Sequence, residues 1–215
     1  MNNIAIYGAG GFGREITCLI REINHSSKKA PWNFIGYFDD GKPAGQKNEY
    51  GKILGGINML NSFEEPLSIV MSIGEPATLY GVVNKITNPL VEFPNIIAPD
   101  IRYLDEKNKH LGKGNIFFSK CSLSCNVRIG DFNIFNSSIA VGHDTLIGNY
   151  NSFMPGTKIS GDVTIGDLNF FGINSVVLQQ NRIGNSTIIG AGSVIIRDTK
   201  DNSTYIGNPA LKLNF

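Results

Sequence analysis

Residues 111–195 read, in blocks of six, LGKGNI FFSKCS LSCNVR IGDFNI FNSSIA VGHDTL IGNYNS FMPGTK ISGDVT IGDLNF FGINSV VLQQNR IGNSTI IGAGSV I. The first residue of every block is aliphatic or Phe: Leu111, Phe117, Leu123, Ile129, Phe135, Val141, Ile147, Phe153, Ile159, Ile165, Phe171, Val177, Ile183, Ile189 and Ile195. From Val127 onward, the residue two places before it is usually Val, Thr, Asn or Ser. A period of six held over this length predicts a parallel β-helix of hexapeptides. Each block supplies one side of a triangular coil, so fifteen blocks make five coils. Stacked at about 4.8 Å, they form a prism roughly 24 Å long. The sixth-residue apolar side chains point inward and stack. Gly follows many of them (Gly112, Gly130, Gly142, Gly148, Gly166, Gly172, Gly184, Gly190). The expectation is that this residue turns the corner at positive φ, where glycine is unpenalised.

Upstream, Asn3–Tyr7 is a short apolar run that leads into Gly8-Ala9-Gly10-Gly11-Phe12-Gly13. Ile16, Leu19, Ile20 and Ile23 then fall on one helical face. Strand, glycine turn and helix give the G-x-G-x-x-G pattern the context it needs. Further strands are expected at 33–38, ending in Asp39-Asp40, at 52–54, at 68–72, before Gly74, and at 90–93, with a helix near 77–86. This is a small open parallel sheet, half of a doubly wound domain. The turn lets backbone approach a phosphate at a helix N-terminus. An acidic residue at the tip of the second strand is where a ribose or base is met. The residues alone leave two readings open, a nucleotide-bearing ligand or a tight turn with none. Residues 94–109, with Pro94, Pro99 and the run Asp105-Glu106-Lys107, show no sixfold pattern and read as a connector and the lead-in to the first coil. The tail after Ile195 breaks the period, with no room for another coil.

The net charge of +1 gives no electrostatic footprint for nucleic acid. Cys18, Cys121 and Cys125 form no metal-ligand pattern with His, which points to a reducing compartment without disulfides. No run reaches the ~18 apolar residues of a membrane span. A soluble cytoplasmic protein without metal is expected.

Of three histidines, only His143 lies inside the repeat. It follows Gly142, which places it at a corner facing outward, with Asp144 next to it. An imidazole there can serve as a general base toward an amine or hydroxyl, and a neighbouring carboxylate can orient the ring. Backbone N–H groups at corner glycines could hold an oxyanion, Gly161 being the candidate. With no Cys beside His143 in sequence, a covalent acyl-enzyme has no support.

The opening IAIYGAGGFGREI, FDD at 38–40, ILGG at 53–56, SIG at 72–74, Gly142-His143-Asp144, GDVTIGDLNFFGINSVV at 161–177, IIGAGSVI at 188–195 and GNPA at 207–210 occur together in this chain. In that combination, which spans nearly its whole length, the chain resembles the bacterial sugar O-acyltransferases, including the sialic acid O-acetyltransferase group and the N-acetyltransferases of nucleotide-linked 4-amino sugars. The resemblance implies a left-handed β-helix and two domains, residues 1–95 a Rossmann-like nucleotide-sugar-binding domain and residues 96–215 the β-helix acetyltransferase domain with its tail. It implies acetyl-CoA as co-substrate and a homotrimer with the active site between neighbouring prisms. The acceptor would be a UDP- or dTDP-linked 4-amino-4,6-dideoxy sugar of lipopolysaccharide O-antigen synthesis. His143 would be the base and Asp144 its orienting partner. Asn136, Ser152 and Gly161 would lie near the acetyl and pantetheine end, with Gly190, Ala191 and Pro209 along the rest of CoA. Gly8, Gly10, Gly11, Gly13, Asp39, Asp40 and Gly74 would hold the nucleotide. The sequence departs from the pattern at Ser152, where some members carry His, and at Ala98-Pro99, which lacks the usual His-Pro.

Other classes fit less well. Sugar O-acetylation would use the same base. A β-helix carbonic anhydrase needs three His on zinc, whereas only His110 and His143 are near the prism. A NAD-dependent oxidoreductase needs a larger first domain and leaves the coils unexplained. A non-catalytic trimeric scaffold gives His143 no task.

Overall fold

The computed structural model describes residues 1–108 and 110–213. Contacts divide the chain into two compact units, residues 1–74 with 78–99, and residues 75–77 with 100–215.

The first unit is a five-stranded sheet. Its elements are β1 (Asn2–Tyr7), α1 (Gly11–Ser26), β2 (Trp32–Phe38), β3 (Ile53–Gly55), α2 (Ile57–Asn61), β4 (Leu67–Met71), all but the first two residues of α3 (Pro76–Val83), and β5 (Val91–Glu92). The strand order is β3-β2-β1-β4-β5, all parallel. Only α2 was unforeseen, being too short to show a period. Ile4, Ala5 and Ile6 of β1 are fully buried, and α1 turns Ile16, Leu19 and Ile20 inward, as its apolar spacing dictates. Gly8, at φ +104°, and Gly13 are fixed by the fold itself. A Cβ on Gly8 would lie 2.4 Å from Ser72 Oγ, and one on Gly13 would lie 2.1 Å from the Gly8 carbonyl.

The second unit is a left-handed parallel β-helix of two-residue strands. Side one stacks Arg102–Tyr103, Ser122–Leu123, Ala140–Val141, Lys158–Ile159, Val176–Val177 and Val194–Ile195. Side two stacks His110–Leu111, Arg128–Ile129, Leu146–Ile147, Thr164–Ile165 and Arg182–Ile183. Side three carries Ile116–Phe117, Ile134–Phe135, Ser152–Phe153, Phe170–Phe171 and Ile188–Ile189. Residues 18 apart therefore sit on successive coils. Of the fifteen sixth-position residues, all but Leu111 are buried. Phe117, Phe135, Phe153 and Phe171 stack with ring centroids 4.3, 4.8 and 4.6 Å apart, matching the spacing of neighbouring strands. Beside them runs a buried amide ladder. The N–H groups of Asn133, Asn151, Asn169 and Thr187 each donate to the side-chain oxygen of the Asn one coil earlier, at 2.7–2.9 Å.

Three expectations are corrected. The positive-φ corner is not the residue after the apolar one but lies two further on, at Asn126, Phe132, Ser138, Asp144, Tyr150, Asp162, Leu168, Asn174, Gln180 and Ser186, and at Gly114, Gly156 and Gly192. Glycine follows the apolar residue for want of room. A Cβ on Gly142 would lie 2.4 Å from the Gly161 nitrogen of the next coil. Secondly, the stretch read as a connector and the lead-in to the first coil already supplies a strand of side one, because Arg102–Tyr103 pairs with Ser122–Leu123. The spacing of eight from Tyr103 to Leu111 hides the phase; Lys109 lies outside the described residues. Thirdly, the tail does extend the prism. Thr204–Gly207 pairs with Ile188–Ile189 and folds back on Ala210–Lys212.

Candidate active site

Each coil turns three corners. The corner between sides one and two stacks Cys125, His143, Gly161, Gln179 and Arg197, 18 residues apart, with Asn126, Asp144, Asp162, Gln180 and Asp198 beside them. Chemistry collects here. His143 is outward and open, its side chain 63% exposed, with Asp144 at 52%. Its Nδ1 lies 2.8 Å from Asp144 Oδ2. The other carboxylate oxygen accepts a 2.8 Å bond from Asn126 Nδ2, one coil earlier. The geometry follows from the corner. Asn126 and Asp144 both hold left-handed φ, 55° and 58°, a conformation their short polar side chains tolerate. Their side chains therefore stack. The Asn126 amide first, then His143, holds the Asp144 carboxyl below the usual carboxylate range. A charged Asp144 on Nδ1 favours the tautomer with Nδ1–H and leaves Nε2 as the basic nitrogen.

Nε2 lies over Gly161. A Cβ there would come within 2.5 Å of Nε2 and 2.7 Å of Cε1, so only glycine admits the ring. Among the described residues the Gly161 N–H has no hydrogen-bond partner. His143, Asp144, Gly161, Asp162, Gln179 and Gln180 line an open cleft of about 350 Å³. Asp162, Gln179 and Gln180 were missed, because in sequence they are ordinary polar corner residues; only the 18-residue stacking brings them to His143. The same stacking puts Cys125, exposed, one coil from His143, so a thiol near the base does exist in space.

The remaining expected acetyl-CoA residues lie elsewhere. Asn136, Gly190 and Ala191 share the corner between sides three and one, separated from His143 by a whole side. The Asn136 carbonyl accepts from Cys121 Sγ at 3.0 Å, and burial pushes that thiol up to about 11. Ser152 is fully buried on side three. Pro209 sits in the turn joining Thr204–Gly207 to Ala210–Lys212.

In the first unit the Asp39 carboxylate accepts from the N–H groups of Ala9 and Gly41, at 2.8 and 2.9 Å. Asp40 accepts from the Ile57 N–H at 2.8 Å and from the Tyr7 hydroxyl. Both acids thus shape the edge where the strands end. Gly10 and Gly74 differ from Gly8 and Gly13. Neither has positive φ, and a Cβ would meet nothing within 4 Å. Gly11 would meet only Arg14 Nη2, at 4.0 Å. Among the described residues nothing near Gly10 or Gly11 requires glycine.

Among the described residues no group of three His, Cys, Asp or Glu could hold a metal ion, and no helix is long and apolar enough to cross a membrane.

Comparisons with known proteins bear on this geometry. Residues 3–86 match the PglD N-terminal domain family. No curated protein matches the chain. The acetyltransferase domain of PglB from Neisseria gonorrhoeae FA1090 is similar over 99% of this chain and 100% of its own, with 25% identity and TM-score 0.87; that domain has also been solved in complex with acetyl coenzyme A. WeeI from Acinetobacter baumannii AYE shares 27% identity over 99% of this chain and 100% of its own, TM-score 0.86. PerB from Caulobacter crescentus, solved with CoA and GDP-perosamine, shares the fold at 23% identity and TM-score 0.85, over 100% of this chain and 98% of its own.

Proposed function

We propose that this chain, an acetyl-CoA-dependent acyltransferase, moves the acetyl group onto the amine of a nucleotide-linked 4-amino-4,6-dideoxy sugar, UDP- or dTDP-linked, with His143 as general base. The observation that carries the reading is the relay Asn126–Asp144–His143 over Gly161, with a free N–H at the same cleft.

His143 Nε2 takes a proton from the acceptor nitrogen as it attacks the thioester carbon. Asp144 holds the ring and stabilises the imidazolium that forms. The Gly161 N–H donates to the oxygen on which negative charge develops. His143 then returns the proton to the departing thiolate as the C–S bond breaks. General-base help of this kind is worth about 10²–10⁴-fold. Nothing in the step calls on a metal.

The nucleotide would lie at the ends of β1 and β4, over Gly10, Gly11 and Gly74, with the first turn of α1 offering N–H groups to its phosphates. Gly8, Gly13, Asp39 and Asp40 hold that ground in shape. The distribution of Asn136, Gly190 and Ala191 supports a homotrimer. One prism cannot bring its two corners together, but a threefold arrangement sets the Asn136 corner of one copy against the His143 corner of the next.

Free-thiol release measured with a panel of UDP-, dTDP- and GDP-linked amino sugars tests this, alongside sialic acid as a hydroxyl acceptor. Turnover with one amino sugar and none with sialic acid is expected. Turnover only with the hydroxyl acceptor would make the protein a sugar O-acetyltransferase. Light scattering should give three times the 23.4 kDa chain mass; a monomer that turns over would remove the shared-site reading.

A further inference from the structure

Asp162 is set apart from the other acids at the corners of the prism. Asp131, Asp167, Asp198 and Asp201 each accept a backbone N–H, and Asp144 accepts from Asn126 and meets His143. The Asp162 carboxylate is exposed and, among the described residues, has no hydrogen bond and no ion pair. Its backbone is nevertheless held. It takes left-handed φ at 57°, as Asp144 does at 58°, and its N–H donates to the His143 carbonyl at 2.7 Å. The two aspartates therefore leave the corner in the same direction, one coil or about 4.8 Å apart. Asp144 lies against Nδ1. The ring crosses from there to the next coil, where Nε2 lies over Gly161, the residue before Asp162. Asp162 lines the same cleft, and among the described residues no Lys or Arg lines it.

We propose that Asp162 is a specificity-determining residue for the acceptor: its carboxylate holds the N–H of the attacking amine that His143 does not take, and so selects an amine over a hydroxyl. This deepens the amine reading above and rests on it. An amino sugar meets the cleft as an ammonium cation, which an uncommitted carboxylate favours. Once one proton has gone to water, the neutral amine still carries two N–H groups. One faces Nε2, and its proton passes there as the nitrogen attacks the thioester carbon. The other stays on Asp162, which transfers no proton. The C–S bond then breaks, the thiolate leaves with the proton from Nε2, and the nitrogen keeps one hydrogen as the product amide. A hydroxyl has a single hydrogen to donate. With that hydrogen on Nε2, only lone pairs remain to face Asp162, and the carboxylate gains no partner for the water it loses.

The test is steady-state kinetics with 4-amino-4,6-dideoxyglucose linked to UDP or dTDP, beside the matching 6-deoxyglucose nucleotides, which carry a hydroxyl in place of the amine. Glycine and asparagine both tolerate left-handed φ, so Asp162→Gly and Asp162→Asn should fold as the unchanged chain does. Asp162→Gly should raise the KM of the amino sugar about ten-fold, the loss of one hydrogen bond to a charged group. Asp162→Asn, which keeps an oxygen and loses the charge, should fall between. In both variants kcat, the KM of acetyl-CoA and inhibition by the hydroxyl nucleotide should be unchanged. An unaltered KM for the amino sugar overturns the proposal. So does an equal weakening of the hydroxyl nucleotide, which would put Asp162 on the sugar ring, and so does a fall in kcat alone, which would put it on His143. If the unchanged chain acetylates the hydroxyl nucleotide in preference to the amine, the amine reading falls together with the role of Asp162. If it prefers the amine and both variants keep that preference, only the role of Asp162 falls.

Discussion

Two corners of the same prism are treated in opposite ways. Between sides two and three the corner stacks Lys113, Asp131, Asn149, Asp167, Asn185 and Asp201. Each of the first five donates its N–H to the side-chain oxygen of the next, at 2.9, 2.8, 2.6, 2.8 and 2.7 Å. The corner of Cys125, His143, Gly161 and Gln179 occupies the same place in each hexapeptide, yet among the described residues none of these N–H groups has a partner. The sealed corner holds the coils in register. The open one gives up that stabilisation, about 0.5–1.5 kcal/mol per bond, and keeps donors free for a ligand. The proposed site sits where the capping ladder lapses.

The largest expected effect breaks the open corner at its base. His143→Ala should lower kcat/KM about 10³-fold while acetyl-CoA still binds and the melting temperature is unchanged. Wild-type turnover in that variant would move the base elsewhere. Next comes Gly161→Ala, whose new Cβ would lie 2.5 Å from Nε2. The ring must swing aside, and a misplacement on that scale costs about 10²-fold. The fold should survive, since Gly161 does not hold positive φ. Unimpaired activity would show that the ring reacts from another orientation.

The amide behind the carboxylate sharpens the comparison further. Asn126 is the main cause of the low pKa of Asp144, so Asn126→Ala should raise it. A depressed carboxylate pKa gives its benefit above the ordinary, unfolded value and loses it as pH falls through the folded one. With Asn126 in place, Asp144 therefore stays charged to below the usual carboxylate range. Without it, the Asp144 carboxyl should titrate at higher pH than in the unchanged chain, read from the pH dependence of its carboxyl carbon resonance, with a several-fold loss of turnover at neutral pH from the freed ring. An unmoved Asp144 titration, together with an unchanged kcat at neutral pH, would show that Asn126 has no bearing on the relay.

How much of this could be read beforehand differs between the corners as well. The sixfold apolar rhythm was plain because burial tolerates nothing polar at Phe135 or Ile165, and His143 stood out as the lone imidazole in it. The sealed corner was invisible. Asp131, Asn149 and Asp167 look like solvated turn residues, and their work appears only when positions 18 apart are stacked. For the same reason Gln179 escaped notice beside His143. The left-handed residue was misplaced by two, since glycine suggests positive φ but was there to let the next coil pass. The first coil was missed where two extra residues after Tyr103 broke the phase.

The smallest effect on turnover, and the clearest on stability, belongs to the sealed corner. Asp167 Oδ1 accepts both the N–H of Asn149 and its side-chain amide, at 2.6 and 3.1 Å. Asp167→Ala leaves the N–H of Asn149 without a partner inside a closed turn, which costs about 1–3 kcal/mol. For a chain of this size that lowers the melting temperature by about 2–4 °C per kcal/mol. Turnover should be unchanged, because the Asp167 corner and the His143 corner are separated by side two of every coil. Asp167→Asn keeps an accepting oxygen, as Asn149 does in the same ladder, and should restore most of the loss. A variant that melts normally but turns over slowly would reverse the assignment, making the capped corner the one that touches substrate.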